Sequence, residues 1–307
     1  MFSNFLVTGG LGFIGSNLVD SLVKRKKSVF VIDDLSSGIN DNANTEANYF
    51  IEDLRKFISN PEILVDFLNR NEIEVIFHLA ANASVAESIS NPEKVLEVNS
   101  SSSMALLRAC QDTKIQRFIF ASTSAVYGEP KYLPVDENHS KSPLSPYGQS
   151  KLEFEKYLRH HAHDNKIDFN ILRLANVYGK RQRPDLEGGV IAIFSDLMKK
   201  NQAVKFYGDG KQTRDWVHVD DVVRAFILSA ESEVSNEIFS IGTGKRKSLK
   251  DLYIFFEDNI KEYMKEPIIL KQRDGEIKHM SLNYNSAKEK LGWEPRISFE
   301  EGLKTLI

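Results

Sequence analysis

The sequence predicts a doubly wound α/β fold, a parallel sheet covered by helices, with a smaller C-terminal region set on it. Three observations carry this expectation. Short β-branched and aromatic runs alternate with longer amphipathic stretches through residues 1–175. The stretches between the runs are long enough to cross back over a sheet, as parallel pairing demands. A glycine cluster separates the first run from the first amphipathic stretch, where a strand-to-helix turn is tightest.

The first strand is read at 4–7 and the first helix at 12–26, on either side of the glycines. Strands follow at 28–32, 49–52, 75–79, 117–121 and 170–174, each a short run rich in Val, Ile, Phe or Tyr. Two further helices are clear. One spans 92–112, opened by Pro92 and carrying the serine run 100–103; the other spans 146–164, opened by Pro146. Beyond Asn176 the pattern loosens into the Gly/Arg/Pro-rich stretch 179–189, a helix at 190–200 and Gly208-Asp209-Gly210. Residues 1–175, with 213–241 returning to them, are therefore read as one domain, and 176–212 with 242–307 as the second.

At 307 residues, against a prior of about 150 per domain, two intimate domains are expected. Forty basic against forty-three acidic residues leave a net charge of -3, so nucleic acid and anionic membrane surfaces are poor partners. Cys110 is the single cysteine, which excludes an intrachain disulfide and a cysteine metal site and predicts a reducing cytoplasmic setting. No basic leader precedes the first strand, and no window reaches the ~18 to 20 apolar residues of a membrane helix. His160, His161 and His163 read as a solvated helix end, with no metal expected.

The strongest local signal is Thr8-Gly9-Gly10-Leu11-Gly12-Phe13-Ile14-Gly15 between a strand and a helix. Side-chain-free positions at this spacing permit the turn and let backbone N–H groups at the helix N-terminus approach a pyrophosphate, the fingerprint of a Rossmann dinucleotide site. Asp33 ends the second strand about twenty residues on, where an acid accepts hydrogen bonds from ribose hydroxyls and repels a 2'-phosphate. With Asp34 beside it and no arginine following, NAD is expected over NADP; a solvated loop acid is the competing reading. Asp53 is placed to meet the adenine amino group.

Tyr147-Gly148-Gln149-Ser150-Lys151 puts a phenol and an ammonium four residues apart on one helix face. A lysine beside a phenol favours the phenolate and should draw its pKa down from about 10, arming a base for a sugar hydroxyl. Upstream, the apolar run 118–121 ends in the hydroxyls of Ser122, Thr123 and Ser124, which can hold a reacting oxygen at a strand's carboxyl end.

With these pieces in place the chain resembles an extended short-chain dehydrogenase/reductase, most closely the nucleotide-sugar 4-epimerases. The resemblance runs almost end to end. Beyond the glycine turn, Asp33 and Y-G-Q-S-K, it includes His78-Leu79-Ala80-Ala81, Asn99, S-T-S-A-V-Y-G at 122–128, R-L-A-N-V-Y-G at 173–179, G-D-G-K-Q-T-R-D-W-V-H-V-D-D at 208–221 and L-G-W-E-P at 291–295. It implies Thr123, Tyr147 and Lys151 as the catalytic group. For NAD it implies Gly9, Gly12, Phe13, Ile14, Gly15, Asp33, Asp34, Asp53, Leu54, Leu79, Ala80, Ala81, Asn99 and Ser122, together with Tyr147 and Lys151. For a UDP-sugar, or a dTDP-sugar, it implies Ser124, Asn176, Val190, Phe206 against the base, Arg214 and Arg273 on the diphosphate, and Met280 as a gatekeeper of pocket size, with His279 beside it. Arginines suit that role through charge-assisted, bidentate bonds to phosphate, though any one of them can equally be a surface residue.

The resemblance also separates reactions. Related dehydratases carry Asp-Glu or a Glu after the catalytic threonine, and related decarboxylases a Thr-Ser-Glu pattern, because removing a group from the keto sugar takes a further acid or base. Here Ser124 and Ala125 stand in those places. The expected reaction is therefore C4 epimerisation through a transient 4-keto sugar, with a dehydratase, decarboxylase, reductase or non-catalytic dinucleotide-binding protein as alternatives. Helices 92–112 and 146–164 resemble the pair that forms a four-helix homodimer interface. Two departures stand out: Asn283 where aspartate is frequent, and a chain that stops at Ile307, short of the usual final helix.

Overall fold

A computed structural model describes residues 2–111, 113–165, 167–186, 189–271 and 277–307. The N-terminal part runs β1 (Asn4–Thr8), α1 (Phe13–Lys24), β2 (Ser28–Asp33), β3 (Asn48–Ile51), α2 (Pro61–Arg70), β4 (Val75–His78), α3 (Val85–Ser90), α4 (Pro92–Leu96), α5 (Ser102–Ala109), β5 (Arg117–Thr123), α6 (Pro146–Asn165) and β6 (Asp168–Leu174). The remainder runs β7 (Asn176–Tyr178), α7 (Val190–Lys199), β8 (Lys205–Tyr207), β9 (Thr213–Arg214), β10 (Trp216–His218), α8 (Val219–Glu231), β11 (Glu237–Ile241), β12 (Lys247–Ser248), α9 (Leu249–Asn259), β13 (Ile268–Leu270), α10 (Asn285–Leu291) and α11 (Phe299–Lys304).

The main sheet is the predicted doubly wound one, wholly parallel, in the order β11-β6-β5-β4-β1-β2-β3. Leu6 of β1 lies between Phe30 and Ile76, so the order reverses at β1 and β4. That reversal leaves a crevice at the strands' carboxyl ends, where open α/β sheets take their ligands. Alternation along the strands fills both faces. Val7, Val31, Phe77 and Ile119 pack with α1 and α8 on one side; Leu6, Ile76, Phe118 and Phe120 pack with α2, α5 and α6 on the other. A third core, around Phe194, Phe206, Trp216, Leu252 and Phe256, belongs to the C-terminal lobe.

Element limits shift by a residue or two where turn chemistry intervenes. The first helix begins at Phe13, because Gly12 is its N-cap, and stops at Lys24, because Lys26 takes a left-handed φ of 61°. The larger correction is the helix expected at 92–112. It is two α-helices joined by a π-turn, Glu97–Ser101, with Asp112 outside the described residues. Ser102 Oγ donates to the Val98 carbonyl and Ser103 Oγ to that of Asn99, while the Asn99 amide leaves the helix for Asn82 and Ser150. Side chains competing for helix carbonyls loosen the ladder there. The region 179–189 is an irregular loop at its described positions, with 187–188 outside them. No helix among the described residues is long and apolar enough to cross a membrane, and no group of three or more His, Cys, Asp or Glu among them is arranged to hold a metal.

Candidate active site

The glycine turn is shaped by close contact. Gly9 takes φ 70°, and a β-carbon there would lie 2.8 Å from the Ala80 nitrogen, so the turn and the Leu79–Ala81 segment close on each other. At Gly15 a β-carbon would meet the Gly9 carbonyl oxygen at 2.1 Å. Gly12 differs: its β-carbon would approach only the Gly9 carbonyl, at 3.3 Å, and otherwise enter open space. No side chain caps α1 at Gly12, and its first turn holds no acid. The N–H groups of Phe13 and Ile14 therefore face an open cradle at a positive helix end, which suits a dinucleotide pyrophosphate.

Asp33 is buried at the end of β2 and accepts N–H bonds from Leu11 and Leu35, both at 2.9 Å. Burial raises its pKa and the two backbone bonds oppose the rise. It thus ties the glycine turn to the loop after β2. Asp34 is exposed and closes its own turn onto Ser36. Asp53 caps the short 3-10 helix Leu54–Ile58, and Arg55 occupies both its carboxylate oxygens, holding it below the usual carboxylate range. The expected adenine contact from that carboxylate competes with this pair. Leu54 is buried in the core.

Behind Leu79 and Ala80 lies a hydrogen-bond relay. Ala80 N–H donates to Thr8 Oγ1, which bonds His78 Nδ1 at 2.7 Å; His78 Nε2 bonds Ser103 Oγ at 2.7 Å, and that hydroxyl donates to the Asn99 carbonyl. Because Ser103 spends its proton on Asn99, His78 must donate from Nε2 and accept at Nδ1. Burial, with the Lys151 charge nearby, drives its pKa down to about 3, so the ring is neutral. The relay joins β1, β4 and the π-turn and places Asn99 beside α6 through Ser150.

Tyr147, Thr123 and Lys151 come together at the carboxyl end of β5. The Thr123 hydroxyl, which accepts from the Ala125 N–H, lies near enough to the Tyr147 phenol to favour its ionised form. Lys151 is 3% exposed, and its Nζ donates to the Ala121 carbonyl at 3.0 Å, 4.8 Å from the Phe120 ring centroid. Here the geometry corrects the expected arming of the phenol. Lys151 is satisfied by a carbonyl rather than by the tyrosine, and burial raises the Tyr147 pKa, with only Thr123 opposing. Burial brings the lysine itself down to about 7, with Glu155 opposing. The Ser122 hydroxyl turns the other way and donates to Glu155, while Ser124 is half-buried at the strand end.

Glu155 and its partner Arg173 escaped the sequence reading as functional groups. Both are almost wholly buried, joined by Arg173 Nε to Oε1 at 3.0 Å and a second bond to Oε2 at 2.5 Å. The available signal was spacing: Tyr147, Lys151 and Glu155 recur every four residues along one helix face.

In the C-terminal lobe Asn176 opens β7, half-buried, with its N–H on the Asp215 carbonyl, and Val190 begins α7. Arg214 donates to the carbonyls of Thr213 and Lys278. The buried Asp215 carboxylate accepts from Thr243, Gly244 and Leu282, so it fastens the 213–216 strands to the 278–282 segment. A cavity of about 450 Å³ opens beside these, lined by Tyr207, Gly208, Asp209, Lys211, Gln212, Lys278 and His279. Two expected contacts change. Phe206 is 2% exposed, stacked on Phe194 and edge-on to Tyr253, so its neighbour Tyr207 lines the cavity instead. Met280 is 3% exposed within the main core, and His279, bonded to Thr213, presents to the cavity. For Phe206, strand alternation in β8 turns the apolar side chain inward; at Met280, next to the isolated bridge of His279 with Thr213, the apolar side chain enters the main core. Arg273 lies outside the described residues.

Comparisons with known proteins bear on the family and the fold. A sequence-family model described as the NAD dependent epimerase/dehydratase family matches residues 5–242. A putative UDP-glucose 4-epimerase of Methanocaldococcus jannaschii is 41% identical over 303 residues, 98% of this chain and 96% of that protein. The crystal structure of a Thermotoga maritima UDP-glucose 4-epimerase with UDP-glucose superposes with a TM-score of 0.94 at 42% identity, covering 99% of this chain and 97% of that one. A UDP-N-acetylglucosamine 4-epimerase of Methanobrevibacter ruminantium, in complex with UDP-N-acetylmuramic acid, gives 0.92 at 34% identity, with coverages of 99% and 96%.

Proposed function

The chain belongs to the NAD dependent epimerase/dehydratase family, of the extended short-chain dehydrogenase/reductase type, and from that premise we propose that it is an isomerase inverting C4 of a UDP-hexose or its N-acetylated counterpart. The observation that carries this reading is the grouping of Thr123, Tyr147 and the buried Lys151 at the end of β5, with no carboxylate at positions 124 and 125.

NAD fits the residues present: the open cradle at Gly12, the uncapped start of α1 and the buried Asp33 are what a pyrophosphate and a ribose require. When bound, it supplies the redox chemistry, withdrawing hydrogen from the sugar carbon and giving it back. The chain's own residues handle the proton. Thr123 holds the C4 oxygen beside the phenol, and Tyr147 takes that hydroxyl's proton and later returns it. A lysine ammonium within reach favours the phenolate, so Lys151 lowers the cost of each transfer once it leaves the Ala121 carbonyl. With no further acid at 124 or 125, the 4-keto sugar is left to be reduced again, from its other face after it turns.

Residues 1–175 with 213–241 are assigned to the dinucleotide, and 176–212 with 242–307 to the nucleotide-sugar, with Asn176, Arg214 and Arg273 serving the diphosphate. A dTDP-sugar is a second candidate substrate, a homodimer through α4, α5 and α6 the proposed assembly, and the cytoplasm the proposed location. The test incubates the protein with UDP-glucose, UDP-galactose and their N-acetyl forms, following product identity and nicotinamide absorbance. Interconversion at C4 without accumulation of reduced cofactor is expected. A 4-keto-6-deoxy product, a pentose or steady cofactor consumption overturns the reading.

A further inference from the structure

The catalytic face of α6 continues one turn beyond Lys151 into a buried charge network. Glu155 accepts from Ser122, the residue directly before Thr123, and from Arg173 of β6. Arg173 is held in turn by the Tyr127 hydroxyl at 3.0 Å and the Glu137 carbonyl at 3.3 Å, and lies over the Tyr127 ring. One carboxylate therefore stands between two buried cations, a guanidinium it binds directly and an ammonium one helical turn away.

We propose that Glu155 is a positioning residue for the reaction, its carboxylate keeping Lys151 charged and in register with the strand end that carries Thr123. The inference rests on the reading of Tyr147 and Lys151 as the proton-handling pair. An isolated ammonium in this setting is costly, because the Phe120 ring and the surrounding core provide little solvation. The Ala121 carbonyl gives Lys151 one acceptor but no counter-charge. Of the titratable groups packed around it, Tyr147 is a half-buried phenol whose pKa is raised, and His78 of β4 is neutral. Arg173 of β6 is a cation, and Lys141 adds a second positive group on the Glu155 side, with Arg159 near it. Glu155 is the negative charge that opposes the desolvation of Lys151. Its bond to Ser122 also couples α6 to β5 one residue from the catalytic threonine, so charge and alignment pass through the same side chain.

The sign of the test follows. Removing the carboxylate disfavours the ammonium, so Lys151 loses its proton at lower pH and the alkaline limb of the activity profile moves acidward. For Glu155→Gln the kcat/KM profile for UDP-galactose should show that limb displaced by about one pH unit or more, with KM little changed. Glu155→Asp, which keeps the charge, should restore the limb towards its original position. Glu155→Gln alone leaves Arg173 buried without a partner and can fail to fold. The double variant Glu155→Gln/Arg173→Met removes both ends of the pair, a change that buried pairs often tolerate. It should show a displacement in the same acidward direction, smaller than that of Glu155→Gln because the opposing charge of Arg173 is removed as well. A folded double variant whose limb is unmoved, or whose activity falls uniformly across the profile, overturns the proposal, because a purely structural role predicts those outcomes. Absence of C4 turnover by the unmodified protein defeats the functional reading instead. The proposal is then judged by NMR titration of the Lys151 ammonium, whose midpoint must fall in the double variant and, if unmoved, refutes it.

Discussion

Two glycines three residues apart should respond to the same substitution in opposite ways. Gly12→Ala places a methyl group where only the Gly9 carbonyl comes near, at 3.3 Å, on a backbone with φ -76° and ψ -178° that alanine adopts freely. Alanine is a poorer N-cap than glycine, but it also narrows the unfolded ensemble, by about 0.4–1 kcal/mol. The two effects nearly cancel, so stability should stay within about 1 kcal/mol. Gly15→Ala drives its methyl to 2.1 Å from the Gly9 carbonyl oxygen, and the turn must open by about 1 Å or more to relieve it. Overpacking against backbone costs about 1–3 kcal/mol or more, against a helix-propensity gain of about 1 kcal/mol.

Dinucleotide binding separates them further. If the open space at Gly12 is where the pyrophosphate sits, its methyl weakens the N–H bonds from Phe13 and Ile14, each worth about 1.5–3 kcal/mol to a charged acceptor. Losing one or two of them amounts to about a hundredfold in affinity. Thermal unfolding of the unliganded proteins and NAD titration by calorimetry read both quantities. Gly12→Ala should melt close to the unmodified protein yet bind NAD about a hundredfold more weakly, whereas Gly15→Ala should lose both. A Gly12→Ala protein that keeps NAD affinity within a few-fold would refute the assignment of the cradle.

Three further substitutions probe the rest of the site. Asp33→Asn removes the charge and turns an amide donor towards the N–H of Leu11 or Leu35; it should cost about 1–3 kcal/mol in denaturant unfolding and relax the preference for NAD over NADP. Equal affinity of the unmodified protein for both cofactors would contradict the role given to Asp33. Tyr147→Phe should lower C4 turnover by about 10² or more while leaving UDP-sugar binding intact, and Thr123→Ala should lower kcat chiefly through loosened geometry. His78 has a folded pKa of about 3 against 6.5 unfolded, so below about pH 6.5 the unfolded chain takes a proton that the native ring refuses. That contribution erodes stability as pH falls, at about 1.4 kcal/mol per pH unit, and unfolding midpoints of His78→Gln between about pH 7 and pH 4 should lack that increment of slope.

Much of the sheet was legible because its signals are local. Runs such as Phe118-Ile119-Phe120 are buried on both faces and read as strands whatever surrounds them, and the glycine turn advertises its own geometry. What stayed hidden depends on residues brought together from afar. The π-turn in the helix expected at 92–112 arises because Asn99 finds Asn82 and Ser150, partners 17 and 51 positions away. Phe206 and Met280 are apolar residues next to cavity-lining ones, and nothing in their neighbours' identities says which side chain turns inward. The Glu155–Arg173 pair is separated by 18 positions and closed by the packing of α6 on the sheet. Arg55, two residues after Asp53, was near enough to notice, and its claim on that carboxylate weakens the adenine assignment.

The placement of Lys151 bears on how such a site avoids premature chemistry. Its ammonium rests on the Ala121 carbonyl, and the Tyr147 phenol, raised by burial, keeps its proton. On the proposed reading, the acceptor assigned to Tyr147 is not standing ready, and it would form through a rearrangement that brings positive charge to the phenol and a hydroxyl to Thr123. The lysine stem is long enough to change partners while its α-carbon stays fixed in α6, and Glu155 remains one turn behind it in either position. A base that forms only when the ligands are in place spends no stability on a buried phenolate beforehand. Two carboxylates of the adjoining network are also withheld: Glu155 is committed to Arg173 and Ser122, and Glu137 to the Ser240 N–H. With Ala125 in the position a third acid would need, the proposed reading leaves the phenol and the threonine to act on a keto sugar, a pair that can move one proton back and forth but cannot expel a leaving group.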